Sequence, residues 1–215
     1  METKHAYSSV SVLCLQLLGG ILLAGLLTGC AFSRTTIQMS VAPKVDEPVK
    51  EPVKASLEVA TVKDSRSVAD GSVLIHKKNG YGMTTSGAYV TEKPIAEIIQ
   101  DGLNAALRQN GFETTNGTHY VLQGEIQNCD YQAIAGLWTG TLISKLTVRF
   151  ELTSPATKLP VWHETYNGQD SSQSSWGTGQ FVADSFSRAA EDVIRQLIQD
   201  RTFRSYFELQ ATNAP

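Results

Sequence analysis

Thr141-Leu142-Ile143-Ser144-Lys145-Leu146-Thr147-Val148-Arg149-Phe150-Glu151-Leu152-Thr153 alternates between apolar and polar side chains. Leu142, Leu146, Val148, Phe150 and Leu152 fall on one side, and Lys145, Thr147, Arg149 and Glu151 on the other. A period of two describes a β-strand with one buried and one wetted face. Neighbouring segments carry the same signal. His119 to Ile126 places Tyr120, Leu122, Gly124 and Ile126 on one face, and Val161 to Tyr166 forms a further strand after the Pro155–Pro160 turn. The segment from Tyr131 to Gly140 is too apolar for a loop tip, so it reads as part strand or as a partly exposed contact surface.

Two stretches switch to the helical period. After Thr91-Glu92-Lys93-Pro94, a cap with an early proline, Ile95, Ile98, Ile99, Gly102, Leu103, Ala106 and Leu107 make one stripe, and Gly111 ends it. The second helix runs from about Gln180 to Asp200, with Phe181, Phe186, Ala189, Ala190, Val193, Ile194, Leu197 and Ile198 as its stripe. Phe203, Tyr206 and Phe207 follow as an aromatic coda that docks on the domain, and Gln210 to Pro215 fray. Upstream, Leu57, Val59 and Thr61 make a first strand. Ser67 to Thr91 reads as a loop or a hairpin turning at Lys77-Lys78-Asn79-Gly80. The order strand, helix, three strands, helix predicts an α+β two-layer sandwich. Its sheet is mainly antiparallel, of four or five strands, with two helices on one face.

The amino terminus carries the address. A short polar start with Lys4 and His5 precedes an apolar run from Val10 to Leu27, which ends in Leu27-Thr28-Gly29-Cys30. That is the layout of a secretory signal peptide. An uncleaved transmembrane helix is the alternative, since about 18 apolar residues can span a bilayer, but Gln16 and Gly19-Gly20 weaken it. Leu-Thr-Gly-Cys resembles the lipobox of bacterial lipoproteins. The resemblance implies cleavage between Gly29 and Cys30 and acylation of Cys30, which becomes the first mature residue. With Ala31 rather than Asp next, it also implies retention at the periplasmic face of the outer membrane of a Gram-negative host. The expected organisation is a cleaved signal peptide over 1–29, lipidated Cys30 with a tether to Lys54, one domain over 55–209, and a tail over 210–215. The tether reading comes from prolines and alternating charge, notably Glu47-Pro48-Val49-Lys50 repeated as Glu51-Pro52-Val53-Lys54.

The lipobox, Asp64-Ser65-Arg66 after the first strand, Asn110-Gly111-Phe112, the Tyr120–Ile126 strand and Ala183-Asp184-Ser185-Phe186 together resemble YajG-type outer-membrane lipoproteins. That family is largely uncharacterised, so the resemblance implies a fold and a location but no activity. The Trp138 and Trp176 stretches depart from its pattern.

Chemistry is sparse. A formal net charge of −3 offers nucleic acid no basic face. No HExxH, paired CxxC, phosphate loop or GxSxG occurs, and His163 and Glu164, adjacent on a strand, point to opposite faces. No enzyme activity, cofactor or metal is expected. Asp64 and Arg66 read as a loop tether more readily than as a ligand site. Cys129 is the one cysteine left after Cys14 leaves and Cys30 is acylated. It reads as an inert thiol, with an intermolecular bridge and a reactive nucleophile as alternatives. The expected function is a non-catalytic adaptor that binds an envelope protein through a surface including Tyr131, Leu137, Trp138 and Trp176. The alternative is a carrier of a small apolar or glycan ligand in a cleft lined by such aromatics, Trp162 among them. Core packing is the competing role for these rings, and is preferred for Trp162. Oligomeric state is left open.

Overall fold

The structure, a computed structural model, describes residues 31–42, 55–79, 81–114, 120–135, 139–174 and 178–211. The larger of two compact units comprises Thr36–Ile75 and Val90–Pro215, and is built on a mixed sheet. Its strands are β2 (Ala55–Val59), β3 (Lys63–Asp64), β6 (Phe112–Thr114), β7 (Tyr120–Ala135), β8 (Gly140–Thr153) and β9 (Pro160–Ser174), ordered β6-β2-β7-β8-β9 with β3 also on β7. The antiparallel expectation holds for β7-β8-β9, but β2 runs parallel to both β6 and β7, and β3 parallel to β7. The six strands exceed the expected four or five, because β3 and β6 are too short to leave a periodic signal.

Helix α1 (Ile95–Gln109) buries the whole stripe anticipated from its spacing. Asn110 Nδ2 closes it by donating to Ala106 O at 2.8 Å. Helix α2 (Gly179–Gln199) starts at Thr178, whose hydroxyl accepts from the Phe181 N–H at 3.3 Å. It packs on β8, β9 and α1. Phe181 is only half-buried, while Val182 and Ser185 join the core instead. The aromatic coda proves to be a third helix, α3 (Arg201–Ala211). Asp200 caps it by accepting from the Thr202 and Phe203 N–H groups, and also accepts from the Tyr166 hydroxyl at 2.6 Å. Phe203 and Phe207 are fully buried in a ring cluster with Phe112, Tyr120 and Trp162. Trp162 is therefore core.

The sheet changes phase in the middle of β7. Ile126 pairs with Val148 but Asn128 pairs with Thr147, so Gln127 is an extra residue on that strand. Such a bulge moves every later side chain to the opposite face. Before it, Leu122, Gly124 and Ile126 face the helices; beyond it Cys129 and Tyr131 do, opposite Leu146 and Ser144.

The smaller unit comprises the chain through Thr35 and His76–Tyr89. Its strands belong to a three-stranded sheet of β1 (Arg34–Ile37), β5 (Thr84–Thr91) and β4 (Val73–Lys78), in the order β1-β5-β4. The hairpin anticipated between Ser67 and Thr91 exists, with its turn two residues later than expected. Asn79 N–H donates to Met83 O at 2.9 Å, while Asn79 Oδ1 accepts from the Tyr81 and Met83 N–H groups.

Of the segment expected as a tether, Cys30–Lys54, residues 31–42 are described, and they carry β1 and three buried apolar side chains. From the end of β1 onward, Ile37, Met39 and Val41 are buried in the larger unit. Gln180 Nε2 donates to Gln38 O at 3.1 Å, and the Ala42 N–H to Glu191 Oε1 at 3.3 Å. Three apolar side chains at alternate positions, each worth about 1.5–3 kcal/mol when buried, outweigh the polar residues between them. The proline repeat lies outside the described residues, as do the signal peptide and the tail from 212 onward.

Candidate functional site

Two places gather polar or reactive side chains, and a third exposes an apolar one. The first is the loop after β3, where Arg66 Nε and Nη2 grip both oxygens of Asp64 at 2.8 and 2.6 Å and Nη1 donates to Leu74 O at 2.8 Å. The pair is buried rather than superficial, with side chains 6% and 14% exposed. Burial pulls the Asp64 carboxyl up, but the hydrogen bonds and charge of Arg66 outweigh it and leave the group below its ordinary value. With both carboxylate oxygens and three guanidinium nitrogens engaged, this is the loop tether anticipated. Ser65 Oγ adds a bond to Glu125 Oε1 at 2.5 Å.

Cys129 sits beside this tether, aimed there by the β7 bulge. Burial pushes its thiol up to about 11, and the Arg66 charge only partly offsets that. A protonated thiol is a poor nucleophile, and Cys129 is the one free cysteine among the described residues.

The second cluster joins β8, β9 and α2. Arg188 Nε and Nη2 donate to Asp170 at 2.8 and 3.1 Å, and Nη2 also to Ser172 Oγ at 2.6 Å. Asp170 Oδ2 further accepts from Ser172 at 2.5 Å and Ser185 at 2.7 Å, and Ser185 Oγ lies 2.8 Å from the Ser144 hydroxyl. Ser144 and Ser185 are fully buried. Burial again raises Asp170, and Arg188, Ser172 and Ser185 more than reverse it, so the carboxyl lies below its ordinary value. Asp170 is thus an acceptor saturated by four bonds, not a base for Ser185. The network locks α2 to the sheet. Sequence reasoning missed it because its members are scattered over β8, β9 and α2 and share no motif.

The third place is the far end of the β7-β8-β9 ladder, where Ala135 and Ser174 both pair with Gly140. Ile134 is 47% exposed there, beside exposed Gln132 and Ala133. Of the residues expected on a binding surface, Tyr131 is buried at 8% exposure on the helix side of β7. Burial removes it from an open surface. Leu137, Trp138 and Trp176, like Gly29 and Cys30, lie outside the described residues. Among the described residues no group of His, Cys, Asp or Glu is arranged to hold a metal ion.

The model of one protein family, described as uncharacterized lipoprotein, matches residues 43–208. The chain belongs to this family. Nothing beyond that lipoprotein membership supports the finer YajG name. No curated protein matches the chain. Among solved structures, protein XCC0632 of Xanthomonas campestris superposes with a TM-score of 0.57 at 14% identity, over 85% of this chain and 100% of that one. A minor lipoprotein from Acinetobacter baumannii matches 72% of this chain and 94% of its own at 15% identity, with a TM-score of 0.41. The first of these similarities shows the fold alone.

Proposed function

We propose that this lipoprotein is held by acylated Cys30 at the periplasmic face of the outer membrane and acts by binding an envelope protein rather than by catalysis. The exposed end of the β7-β8-β9 ladder is the binding surface. The observation that carries the reading is Ile134, a large apolar side chain left 47% exposed at the end of a strand whose helix-facing side is packed only as far as Tyr131. The charged clusters, by contrast, are consumed in holding the fold: Asp64 and Asp170 are each saturated by internal donors. Gly136-Leu137-Trp138 continue the chain directly beyond this point, so an aromatic anchor is available in sequence for such a contact. The carrier reading has less behind it, because Trp162, one of its four rings, packs on Phe203 in the core.

Crosslinking of the lipidated protein in cells, followed by affinity capture and mass spectrometry, tests the proposal. One dominant envelope protein is expected, lost in Cys30→Ala and weakened in Ile134→Ser. Absence of any protein above background would discard the adaptor reading. Capture that Ile134→Ser leaves unchanged would move the surface elsewhere on the molecule.

A further inference from the structure

We infer that the β4–β5 hairpin tip, with Phe32, is a membrane-contacting foot that seats the smaller unit on the bilayer to which Cys30 is attached; this rests on the lipid-anchored reading above. Six large apolar side chains are exposed among the described residues, and three belong to this unit: Phe32 at 59%, Tyr81 at 90% and Met83 at 59%. An aromatic ring with a polar tip and an unbranched thioether are side chains suited to the boundary between headgroups and acyl chains.

The occupant follows from where the chain begins its ordered path. Residue 31 does not start a free tether. Thr85 Oγ1 donates to Ala31 O at 2.5 Å, and a Cβ at Gly87 would lie 2.2 Å from the same oxygen, so the segment is laid against β5 without an intervening side chain. Lys77, in turn, fixes the segment through Thr35 Oγ1 at 2.7 Å and lies 4.9 Å from the Tyr89 ring centre. An acylated Cys30 is one residue away. A single residue reaches about 3.5 Å, so acyl chains on Cys30 would begin no more than about that distance along the chain from Ala31. Met83 precedes β5, four residues from Gly87, or roughly 13 Å along a strand. The bilayer surface that receives the acyl chains is thus within reach of Phe32 and of the hairpin tip.

Exposed apolar side chains beside a lipid anchor add a second attachment to the first. Acyl chains alone fix a point but leave orientation free; a hairpin inserted at the interface fixes orientation as well.

The test uses the full lipidated protein in vesicles of phosphatidylethanolamine and phosphatidylglycerol, in a Cys129→Ser background. An environment-sensitive NBD label is placed at Tyr81→Cys or, as a control, at Thr157→Cys in the turn before β9. A blue shift and quenching by headgroup-level doxyl lipids are expected at position 81 and not at 157. Co-flotation with vesicles, together with the mass of the acylated peptide, reads the anchor separately. Protein that floats with an unshifted label at 81 overturns the foot while keeping the anchor. Protein that carries no acyl chains and does not float sinks the anchored reading, and the foot with it. A shift at 81 that appears without vesicles and grows with protein concentration would assign the patch to a second copy of the chain, and would also overturn the proposal.

Discussion

Gly168 stands where α2 packs tightly on β9. A Cβ there would lie 1.9 Å from the Ala189 carbonyl oxygen and 2.7 Å from the Val193 side chain. Backbone cannot yield as a side chain tip can, so the helix would have to lift. Gly168→Ala is expected to destabilise the fold by about 1–3 kcal/mol, read as a lowered denaturation midpoint with the m-value retained. Cys129 makes a second prediction at this scale. With its thiol at about 11 rather than the usual 8.5, the thiolate fraction at pH 8 drops by about two orders of magnitude. Native protein should react with iodoacetamide slower by about that factor than protein in denaturant. Equal rates would show that the thiol is open and ordinary.

Among the described residues strand β9 has a neighbouring strand only on its β8 side, and an unprotected edge of that length invites another strand. The helices blunt it. Gln196 Nε2 donates to Asn167 O at 3.1 Å, Asp192 Oδ2 accepts from the Gln169 N–H at 3.2 Å, and the Tyr206 hydroxyl donates to Val161 O at 2.7 Å. Replacing both α2 side chains, as Asp192→Ala with Gln196→Ala, should release two backbone groups of β9. The expected result is concentration-dependent self-association by light scattering, with a smaller change in unfolding midpoint. A strictly monomeric double variant would mean that the edge is protected by something other than these bonds. Any self-association of the parent protein should be measured alongside.

Across the molecule, the two carboxylates that hold loops and helices in place share one pH dependence. Asp64 and Asp170 both lie below their ordinary values in the folded protein. A depressed folded pKa contributes stability that is fully present above the unfolded value, about 3.9, and is lost as pH falls through the folded one. Stability should therefore be level around neutrality on this account and decline in the acid limb. Asp170→Asn should be less stable at pH 7 and show a shallower decline below about pH 4. A parallel, merely shifted curve would assign the acid limb to other groups. Arg188 is 45% exposed at its side chain, so the Asp170 share will be tempered by solvent, while the Asp64–Arg66 pair is screened much less.

The α+β composition, α1, α2, β8 and the opening halves of β7 and β9 were legible in the chain because burial there repeats with the period of the backbone, whereas the polar residues Gln169 to Ser174 gave no such period and yet continue β9. The same periodicity exposed the Asp64–Arg66 turn as a tether, since it follows directly on a strand. Local pattern also supplied the lipoprotein reading, a signal read in consecutive residues from Val10 to Cys30. Only the tertiary structure decided the rest. The parallel placement of β2 between β6 and β7 depends on pairings between residues far apart in sequence, which no local period records. The Gln127 bulge reverses which residues of β7 are buried, and so turned Tyr131 from a surface candidate into a core side chain. Residues 37–41 looked polar enough for a tether, yet their alternate apolar side chains found a buried site in the larger unit. Whether an apolar residue is core, edge or foot is set by what the fold brings against it, and that is a property of distant contacts rather than of neighbours in the chain.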